Sequence, residues 1–517
     1  MSVRLRRRRH AIRVAATSVL LSVVFAAHAD PLPLIRDLEA SGYLDGLAVV
    51  ETRRSRKQLP QALGEVWFGV ALTEHVRGHL SLRGQVGGPY VHPTPNVLGF
   101  VHAFQNASPY LEFSEAYLGV DLGPVDARIG VQKFAWGKLD GIAPTDVINP
   151  LDYHDPFVRD LAEAKMGVPA AALTWNLPYL TRLRLRDLAA TLIYVPFAVP
   201  ARLPLTRERW FPEAARRASR VTLPRERIER FLEEELNAPV TVDPDVPAEL
   251  RTENQRPPKR LDAGGLALRL GGMWRGVDWD LYEYIGPDTG PNGDLRATAL
   301  LQHLAIGPDE ITLGLRSRST VKQATDRVMM TGVDLATEVG SVTFRGEAAA
   351  FHDRPYLTAQ SEVVRLESLS DAQLRRIARN LVNGGHSRVP VGELFPALDS
   401  VEWGTGADYT WRGWFGLLQV AQVFILDAAP RLVVADPETR MTASIRKTFR
   451  AERLTLEARG IYTIDRGGWF FFPRASYLVR EGLRLQAGYL AIGGSRNSLI
   501  GQFGTNDEFV VQLRYYF

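Results

Sequence analysis

The chain closes with the stretch EFVVQLRYYF, residues 508–517, in which two kinds of side chain alternate. One face of an extended strand would carry only apolar and aromatic groups: Phe509, Val511, Leu513, Tyr515 and Phe517. The opposite face includes a glutamate, a glutamine and an arginine. Alternation with period two is typical of a strand that has lipid on one side and water on the other. This stretch therefore predicts a membrane-spanning β-strand.

The other end of the chain, residues 1–29, has the three-part order of a secretory signal peptide. Six arginines lie within the first 13 residues, and the apolar run VAATSVLLSVVFAA follows at residues 14–27. Ala27-His28-Ala29 then matches a cleavage site before Asp30. An N-terminal membrane anchor is the alternative, but a run of about 14 apolar residues is short for a transmembrane helix. We predict export through a cleaved signal at residues 1–29.

Charge and cysteine content narrow the class of protein further. The whole chain has 62 basic and 58 acidic side chains, a net charge of +4, and no cysteine. Loss of the six arginines in the signal would leave a net charge of −2, so the basic excess does not indicate a nucleic-acid partner. Without cysteine, an exported chain cannot use disulfides, and a closed sheet is one remaining source of stability.

Alternating stretches of about ten residues recur from residue 44 onward, and no later segment is apolar enough for a membrane-spanning helix. We assign twenty such segments, including 296–306 and 310–318. Because merging or splitting segments changes the count, the sequence predicts about 16–20 strands, with 18–20 favoured. The fold class is all-β, with residues 30–517 forming one transmembrane antiparallel β-barrel.

The connections between these segments alternate between short and long, which favours the barrel most strongly. Tight turns are predicted at 73–75, 123–124, 307–308, 340–341 and 412–413, and long loops at about 87–111, 135–169, 196–262 and 353–401. Outer-membrane barrels have short periplasmic turns and long extracellular loops. A soluble β-propeller or β-helix would need an internal repeat, and an α/β enzyme would need helices between its strands. Short helices are predicted only within the loops, one of them capped by Ser370 or Asp371.

Polar side chains on the strands fall on one face, which we predict to line the lumen. A charge facing lipid near the bilayer midplane costs about 2–4 kcal/mol, so these groups must face water or a plug. One hypothesis is that the arginines attract anionic solutes, and the other is that they only pair with neighbouring glutamates. The candidate lumen-facing residues are Glu115, Arg128, Gln132, Arg269, Arg316, Arg345, Glu347, Arg446, Glu457, Arg459, Arg484 and Arg514.

Residues 130–155, GVQKFAWGKLDGIAPTDVINPLDYHD, combine many aspartates with glycine and proline. Pro144 and Pro150 prevent a helix from aligning these groups, and APTD, NPLD and YHDP have the chemistry of turns. We predict a rim or constriction loop that includes Trp136, Gly137, Asp140, Asp146, Asn149 and Asp152. Calcium bound by Asp140, Asp146, Asp152 and Asp155 is the alternative, since hard cations accept irregular oxygen cages. No other metal, no cofactor and no catalytic residue is predicted.

The block SEAYLGVDLGPVDARIGVQKFAWGKLDGIAPTDVINPLDY resembles one in large Gram-negative outer-membrane barrels of porin-like or uncharacterised function. The matching residues are Glu115, Arg128, Gly130, Gln132, Trp136, Gly137, Asn149, Pro150 and Asp152. The C-terminal stretch is also similar to the last strand of such barrels, in which Tyr515 and Phe517 would form the signal for the barrel-assembly machinery. The resemblance implies a closed barrel of 16–20 strands, outer-membrane lipid around it, and a transport role.

Three functions follow, of which a channel is favoured. It would let small solutes, anionic ones in our hypothesis, diffuse through a lumen narrowed by long loops. The alternative is a barrel that handles hydrophobic compounds or lipids with an inner-membrane transport partner. A barrel hydrolase is the third, and it would need a Ser–His–acid or Asp–His set at the rim, for which the ten histidines give no convincing pattern. We expect no enzymatic activity.

Overall fold

The structure is a computed structural model that describes residues 37–53, 58–87, 96–97, 110–178, 184–204, 208–218, 224–242, 249–253, 260–290, 292–308, 310–324, 326–359, 369–427, 432–449 and 451–517. The predicted signal peptide and most of the predicted loop at 87–111 lie outside these residues, so the structure does not test either of them.

The described residues form 24 strands and four α-helices, numbered along the chain. The strands are β1 (Asp37–Glu51), β2 (Gln58–Ala71), β3 (Val76–Gly87), β4 (Asn96–Val97), β5 (Tyr110–Asp121), β6 (Val125–Gln132), β7 (Val168–Asn176), β8 (Leu185–Val195), β9 (Val240–Val242), β10 (Glu249–Glu253), β11 (Gly265–Trp274), β12 (Val277–Pro287), β13 (Gly293–Ile306), β14 (Ile311–Gln323), β15 (Arg327–Val339), β16 (Val342–Pro355), β17 (His386–Val389), β18 (Ala397–Trp411), β19 (Trp414–Ile425), β20 (Glu438–Phe449), β21 (Leu454–Thr463), β22 (Trp469–Arg480), β23 (Leu483–Gly493) and β24 (Glu508–Tyr516). The helices are α1 (Leu161–Ala164), α2 (Glu213–Ala218), α3 (Arg225–Leu236) and α4 (Asp371–Gly384).

Eighteen of these strands close into one antiparallel barrel, which confirms the predicted fold class. They are all the strands except β4, β9, β10, β13, β14 and β17, and each pairs with its neighbours in chain order. The ring closes where β1 pairs with β24, from Tyr43 opposite Tyr516 to Glu51 opposite Glu508. Because every barrel strand has a partner on both sides, the sheet has no free edge to leave polar backbone groups in hydrocarbon.

Alternation along the strands gives the barrel an apolar outer face and a polar interior. Ile129 on β6 is 65% exposed and Leu513 on β24 is 47% exposed, and both point outward. Arg514, the residue after Leu513 on β24, points inward and pairs with Asp45 of β1. None of the described helices is both long and apolar enough to cross a membrane.

The predicted alternation of short and long connections is present in the barrel. Turns of two to four residues join β2 to β3, β5 to β6, β11 to β12, β15 to β16 and β18 to β19, and we call this end of the barrel the short-turn end. At the opposite end, four connections exceed 30 residues: 133–167, 196–264, 288–326 and 356–396. The long connections therefore lie at the end that faces outward in barrels of this type.

The prediction that segments 296–306 and 310–318 belong to the barrel wall is wrong. They form the hairpin β13–β14, which pairs within a separate five-stranded sheet in the order β10-β14-β13-β17, with β9 beside β14. This hairpin has the same period-two alternation as a barrel strand, because one of its faces also packs on an apolar core. The error places Arg316 in this sheet and not on the lumen wall.

Three of the long loops contribute to this additional unit, which we call the insertion domain: β9, β10, β13, β14, β17, α3 and α4. The two helices pack on one face of the sheet through buried residues such as Ile228, Leu232, Leu313, Leu374 and Leu381. Ser370 caps α4 by accepting a hydrogen bond from the backbone of Gln373, and Gly385 ends it in the left-handed conformation, at a φ of 68°.

Candidate permeation site

The connection between β6 and β7, residues 133–167, crosses the inside of the barrel, and we call it the crossing loop. Asn149, which is 3% exposed, holds its two ends together. The Asn149 side-chain amide donates to the carbonyl oxygens of Gln132 (3.0 Å) and Met166 (2.8 Å), and its oxygen accepts from the backbone of Phe134 (2.6 Å). A single buried side chain therefore replaces the backbone pairing that a loop lacks.

Glu347 of β16 fixes the first half of the crossing loop to the barrel wall. Its carboxylate accepts hydrogen bonds from the backbone N–H groups of Lys138 (3.1 Å), Leu139 (3.3 Å) and Thr145 (2.7 Å). The Thr145 hydroxyl donates a fourth bond, at 2.6 Å. Gly137 precedes these groups at a φ of 81°, and a Cβ there would lie 2.7 Å from the Glu347 carboxylate oxygens. Close approach of backbone to carboxylate therefore requires glycine at this position.

Lys138 inserts its ammonium group between two wall aspartates. It lies 2.8 Å from Asp280 of β12 and 2.5 Å from Asp334 of β15. Arg269 of β11 donates to the other oxygen of Asp280, at 2.7 Å. Burial disfavours the charged amine, but the two carboxylates outweigh that effect and raise the pKa of Lys138. The loop therefore enters the lumen with its positive charge already compensated.

The second half of the crossing loop meets the other side of the barrel. Asp160 accepts from Arg459 of β21 at 2.6 Å and lies 3.4 Å from Arg474 of β22. Glu163 pairs with Arg514 of β24 at 2.7 Å. The strands β12, β15 and β16 lie well around the ring from β21, β22 and β24. The two halves of the loop are therefore tethered to different sides of the barrel, and the loop spans the lumen.

A buried polar cluster connects the crossing loop to the next long loop. His154 is 1% exposed, with its Nδ1 atom 2.7 Å from Asp152 and its Nε2 atom 3.6 Å from Glu208. Arg202 lies 3.0 Å from Asp152. The burial of His154 lowers its pKa despite the nearby carboxylate. Burial also disfavours ionised Asp152, but Arg202 and His154 outweigh it and hold the pKa of Asp152 well below its usual value.

The four aspartates of the calcium hypothesis do not come together. Asp140 pairs with Arg345 (2.9 Å), Asp146 pairs with Lys165 (2.6 Å), and Asp152 pairs with Arg202. Asp155 is buried near Arg209 and Arg159, and its burial raises its pKa. Among the described residues, the one group of three His, Asp or Glu side chains close enough to share an ion is His352, Asp353 and Asp399, elsewhere on the barrel rim. The structure therefore gives the calcium hypothesis no support.

Between the crossing loop and the short-turn end lies a cavity of about 370 Å³. Six arginines and four acids line it: Arg83, Arg159, Arg446, Arg474, Arg484 and Arg514, with Asp45, Asp160, Glu163 and Glu457. Arg474 pairs with Glu457 at 2.8 Å. Arg446, which lies over the ring of Phe415, and Arg484 have no ion pair among the residues that the structure describes. The cavity wall thus has a positive excess concentrated at these two arginines.

The other predicted lumen residues occupy varied surroundings. Glu115 accepts from the backbone of Lys133 (3.2 Å), and Arg128 lies over the ring of Tyr117. Gln132 points inward but is covered, since it donates to the carbonyl of Ala170. Arg345 and Glu347 bind the crossing loop, and Arg316 pairs with Glu249 in the insertion domain.

Several residues that shape the lumen were missed by the sequence interpretation: Asp45, Lys138, Asp160, Glu163, Asp280, Asp334 and Arg474. The strand members among them alternate with outward apolar residues, so the same period-two pattern could have identified them. Lys138, Asp160 and Glu163 lie on the crossing loop, where no periodicity marks a side chain's direction. Their partners are 142 to 351 positions away in the chain.

The end of the chain completes the barrel seam. The backbone of Phe517 both donates to and accepts from Gly42 of β1 (3.0 Å each). The rings of Tyr515 and Phe517 stack on the outer face with their centroids 6.3 Å apart. Trp136, in contrast, is buried against Tyr282, with ring centroids 4.8 Å apart, so it packs the crossing loop onto the wall.

No family model and no curated protein matches this chain. Among solved structures, it is similar to OccK1 (OpdK) of Pseudomonas aeruginosa, with a TM-score of 0.46 and 9% identity over 94% of this chain and 99% of that one. It is also similar to OccAB1 of Acinetobacter baumannii, with a TM-score of 0.47 and 8% identity over 95% and 98% of the two chains. OccK8 (OprE) of P. aeruginosa gives 0.45 and 10% over 94% and 99%. With its closed ring of 18 antiparallel strands and its apolar outer face, the chain has the fold of an outer-membrane β-barrel.

Proposed function

We propose that the protein is a passive channel that admits small, hydrophilic solutes and favours anions. The observation that carries this proposal is the crossing loop, which divides the lumen and leaves a charged cavity of about 370 Å³ beside it. Such a volume suits a small solute and excludes a folded polypeptide. Diffusion through a lumen of this kind requires no catalytic group and no energy source.

The preference for anions follows from the charges on the cavity wall. Six arginines face four carboxylates, and the two arginines without ion pairs, Arg446 and Arg484, are exposed to the cavity. Low-dielectric walls concentrate the field of unpaired charges, so a net positive lining raises the local concentration of anions. Arg474 and Arg514 contribute less because each already pairs with two carboxylates.

The ion preference is measured from the reversal potential of the purified barrel in a planar bilayer under a KCl gradient. We expect a potential of the sign given by chloride preference in the wild type, and a smaller potential in the Arg446→Gln/Arg484→Gln double variant. Arg275→Gln is the matched control, since Arg275 lies in a short turn over the ring of Trp274 and away from the cavity. Cation preference in the wild type would contradict the proposal.

Two observations favour this function over the alternatives. A protein that handles hydrophobic compounds would use an apolar lumen or an opening between strands, but the cavity is lined by charges and every described barrel strand is paired on both sides. His154 of the crossing loop could not serve as the accessible base of a hydrolase, because it is buried between two carboxylates. Passive diffusion of small solutes is therefore the function that the charges of the lumen support best.

A further inference from the structure

The insertion domain presents one face that no helix of the domain covers. Buried Ala297 and Ala299 of β13 pack in the core formed with α3 and α4, so the residues that alternate with them point to the other side of the sheet. This other side, which we call the cationic face, carries Arg251, Arg296, Arg316, Arg318, Lys322 and Arg388. Arg251, Arg296 and Arg388 are exposed, and Arg318 is 40% exposed. The face is therefore both strongly positive and open to solvent.

Acidic neighbours compensate only part of this charge. Glu249 is shared by Arg251 (2.6 Å), Arg318 (3.2 Å) and Arg316 (3.4 Å). Asp294 lies opposite Lys322 in the strand register. Arg296 and Arg388 have no ion pair within the part of the chain that the structure describes. Glu253 of β10 lies on the other side of Lys322 in the strand register, so three acids accompany six cations on this face.

The strand register places the unpaired arginines around one threonine. Thr298 of β13 lies directly opposite Arg318 of β14 on one side and Arg388 of β17 on the other. Arg296 is two positions away on the same face. Exposed sheet faces are usually stabilised by opposite charges across strands, and like charges in this arrangement are destabilising. An arginine–threonine–arginine row is thus suited to an anionic group that binds from outside.

The spacing of these cations indicates what kind of anion would fit. Neighbouring strands are about 4.8 Å apart, so the backbones at Arg318 and Arg388 are about 10 Å apart, and Arg296 is about 7 Å along the strand from Thr298. A single carboxylate can engage only part of this set. A group with several phosphates can engage all three arginines, whose planar guanidinium groups bind phosphate in a bidentate manner.

The position of the face relative to the membrane identifies the source of such a group. The hairpin β13–β14 continues directly from the wall strands β12 and β15, and Lys322 is only five residues from Arg327. Five residues span at most about 17 Å. The face therefore starts close to the barrel rim, at the end with the long loops, which faces the outer leaflet in this class of barrel.

We propose that the cationic face binds the phosphorylated saccharide head group of a glycolipid in the outer leaflet that surrounds the barrel. The arginines around Thr298 hold the phosphates, and Lys322 lies nearest the barrel rim. Binding of this kind anchors the insertion domain at the membrane surface and is independent of conduction through the lumen. It is distinct from the solute cavity, which is lined by other residues near the short-turn end of the barrel.

The proposal is tested with the full-length barrel in detergent and a glycolipid that carries two phosphates on its saccharide. Microscale thermophoresis compares the wild type with Arg296→Gln/Arg388→Gln. Loss of two arginines at a lipid surface should weaken binding by about tenfold or more. Arg375→Gln/Arg379→Gln is the matched control on the same domain, since those exposed arginines already pair with Glu234 and Glu235. Heat-modifiable gel mobility verifies that each variant is folded.

Each comparison in this experiment has an outcome that supports the proposal and one that overturns it. Support requires weaker binding in the Arg296/Arg388 variant, unchanged binding in the control, and loss of binding when the glycolipid is dephosphorylated. Equal affinity of all variants for the phosphorylated glycolipid would overturn the proposal. Soluble tripolyphosphate is the second probe: if it binds as tightly as the glycolipid, the face recognises a free polyanion, and the assignment to membrane lipid is wrong.

Discussion

Replacing Glu347 with alanine should release the crossing loop from the barrel wall. The Glu347 carboxylate accepts four hydrogen bonds from the loop, three from backbone N–H groups and one from the Thr145 hydroxyl, at 2.6 to 3.3 Å. A hydrogen bond to a charged group contributes about 1.5–3 kcal/mol. At the lower value, four such bonds together contribute about 6 kcal/mol to docking of the loop. Water that enters the lumen in the variant will replace part of this lost hydrogen bonding.

A net loss of about 3 kcal/mol shifts an equilibrium between a docked and an undocked loop by more than a hundredfold. The remaining contact of Lys138 with Asp280 and Asp334 keeps the loop near the wall, so the channel should fluctuate and not open permanently. In single-channel recordings we therefore expect a larger mean conductance and frequent transitions between levels in Glu347→Ala, where the wild type gives steady steps.

Glu283→Gln serves as the control for this substitution. Glu283 is an acid of β12, which is separated from β16 by β15 in the ring, and its carboxylate accepts from Thr331 on the exposed outer face. It should leave conductance and noise unchanged. If folded Glu347→Ala shows the wild-type conductance and noise, the crossing loop does not set the width of the lumen.

Three further substitutions test the crossing loop through the temperature at which the heat-modifiable band converts on a gel. Asn149→Ala leaves one buried N–H and two carbonyl groups unpaired, at about 1–3 kcal/mol each before relaxation, and should lower that temperature by several degrees; an unchanged value would show that Asn149 does not hold the loop ends. Gly137→Ala places a Cβ 2.7 Å from the Glu347 carboxylate at a positive φ, so it should destabilise the barrel by about 1–3 kcal/mol and raise channel noise, whereas wild-type noise would argue against this tight approach. Burial lowers the pKa of His154 below 6.5, so the unfolded chain takes up the proton first as the pH falls, and stability is lost from about pH 6.5 downward. The conversion temperature should thus drop between pH 7.5 and pH 5 by more in the wild type than in His154→Gln, and equal slopes would contradict this.

Much of the barrel could be predicted from the sequence because its determinants are local. A strand with lipid outside and water inside must alternate, and all 18 wall strands overlap segments that were assigned from that alternation. The same rule produced the one error in the strand assignment. In β14, Leu313 and Leu315 face the helices of the insertion domain while Arg316 and Arg318 face solvent, and this pattern is indistinguishable from that of a wall strand.

The site was less predictable because it depends on contacts between distant parts of the chain. The aspartates of the crossing loop suggested turns or a calcium site, but their roles are set by Arg345, Lys165, Arg202 and Arg459, which the sequence alone cannot place beside them. A prediction of inward-facing charge was feasible for Arg446 or Glu457. Which of these charges forms an ion pair depends on the three-dimensional structure and could not be predicted from the sequence.

Single-channel recording of the purified wild-type barrel shows whether the lumen conducts beside the crossing loop. Insertion into a planar bilayer in KCl should produce discrete, ohmic current steps of one size, with a reversal potential that indicates chloride preference under a salt gradient. If no current steps appear after insertion of correctly folded, heat-modifiable protein, the lumen does not conduct and the protein is not a passive channel.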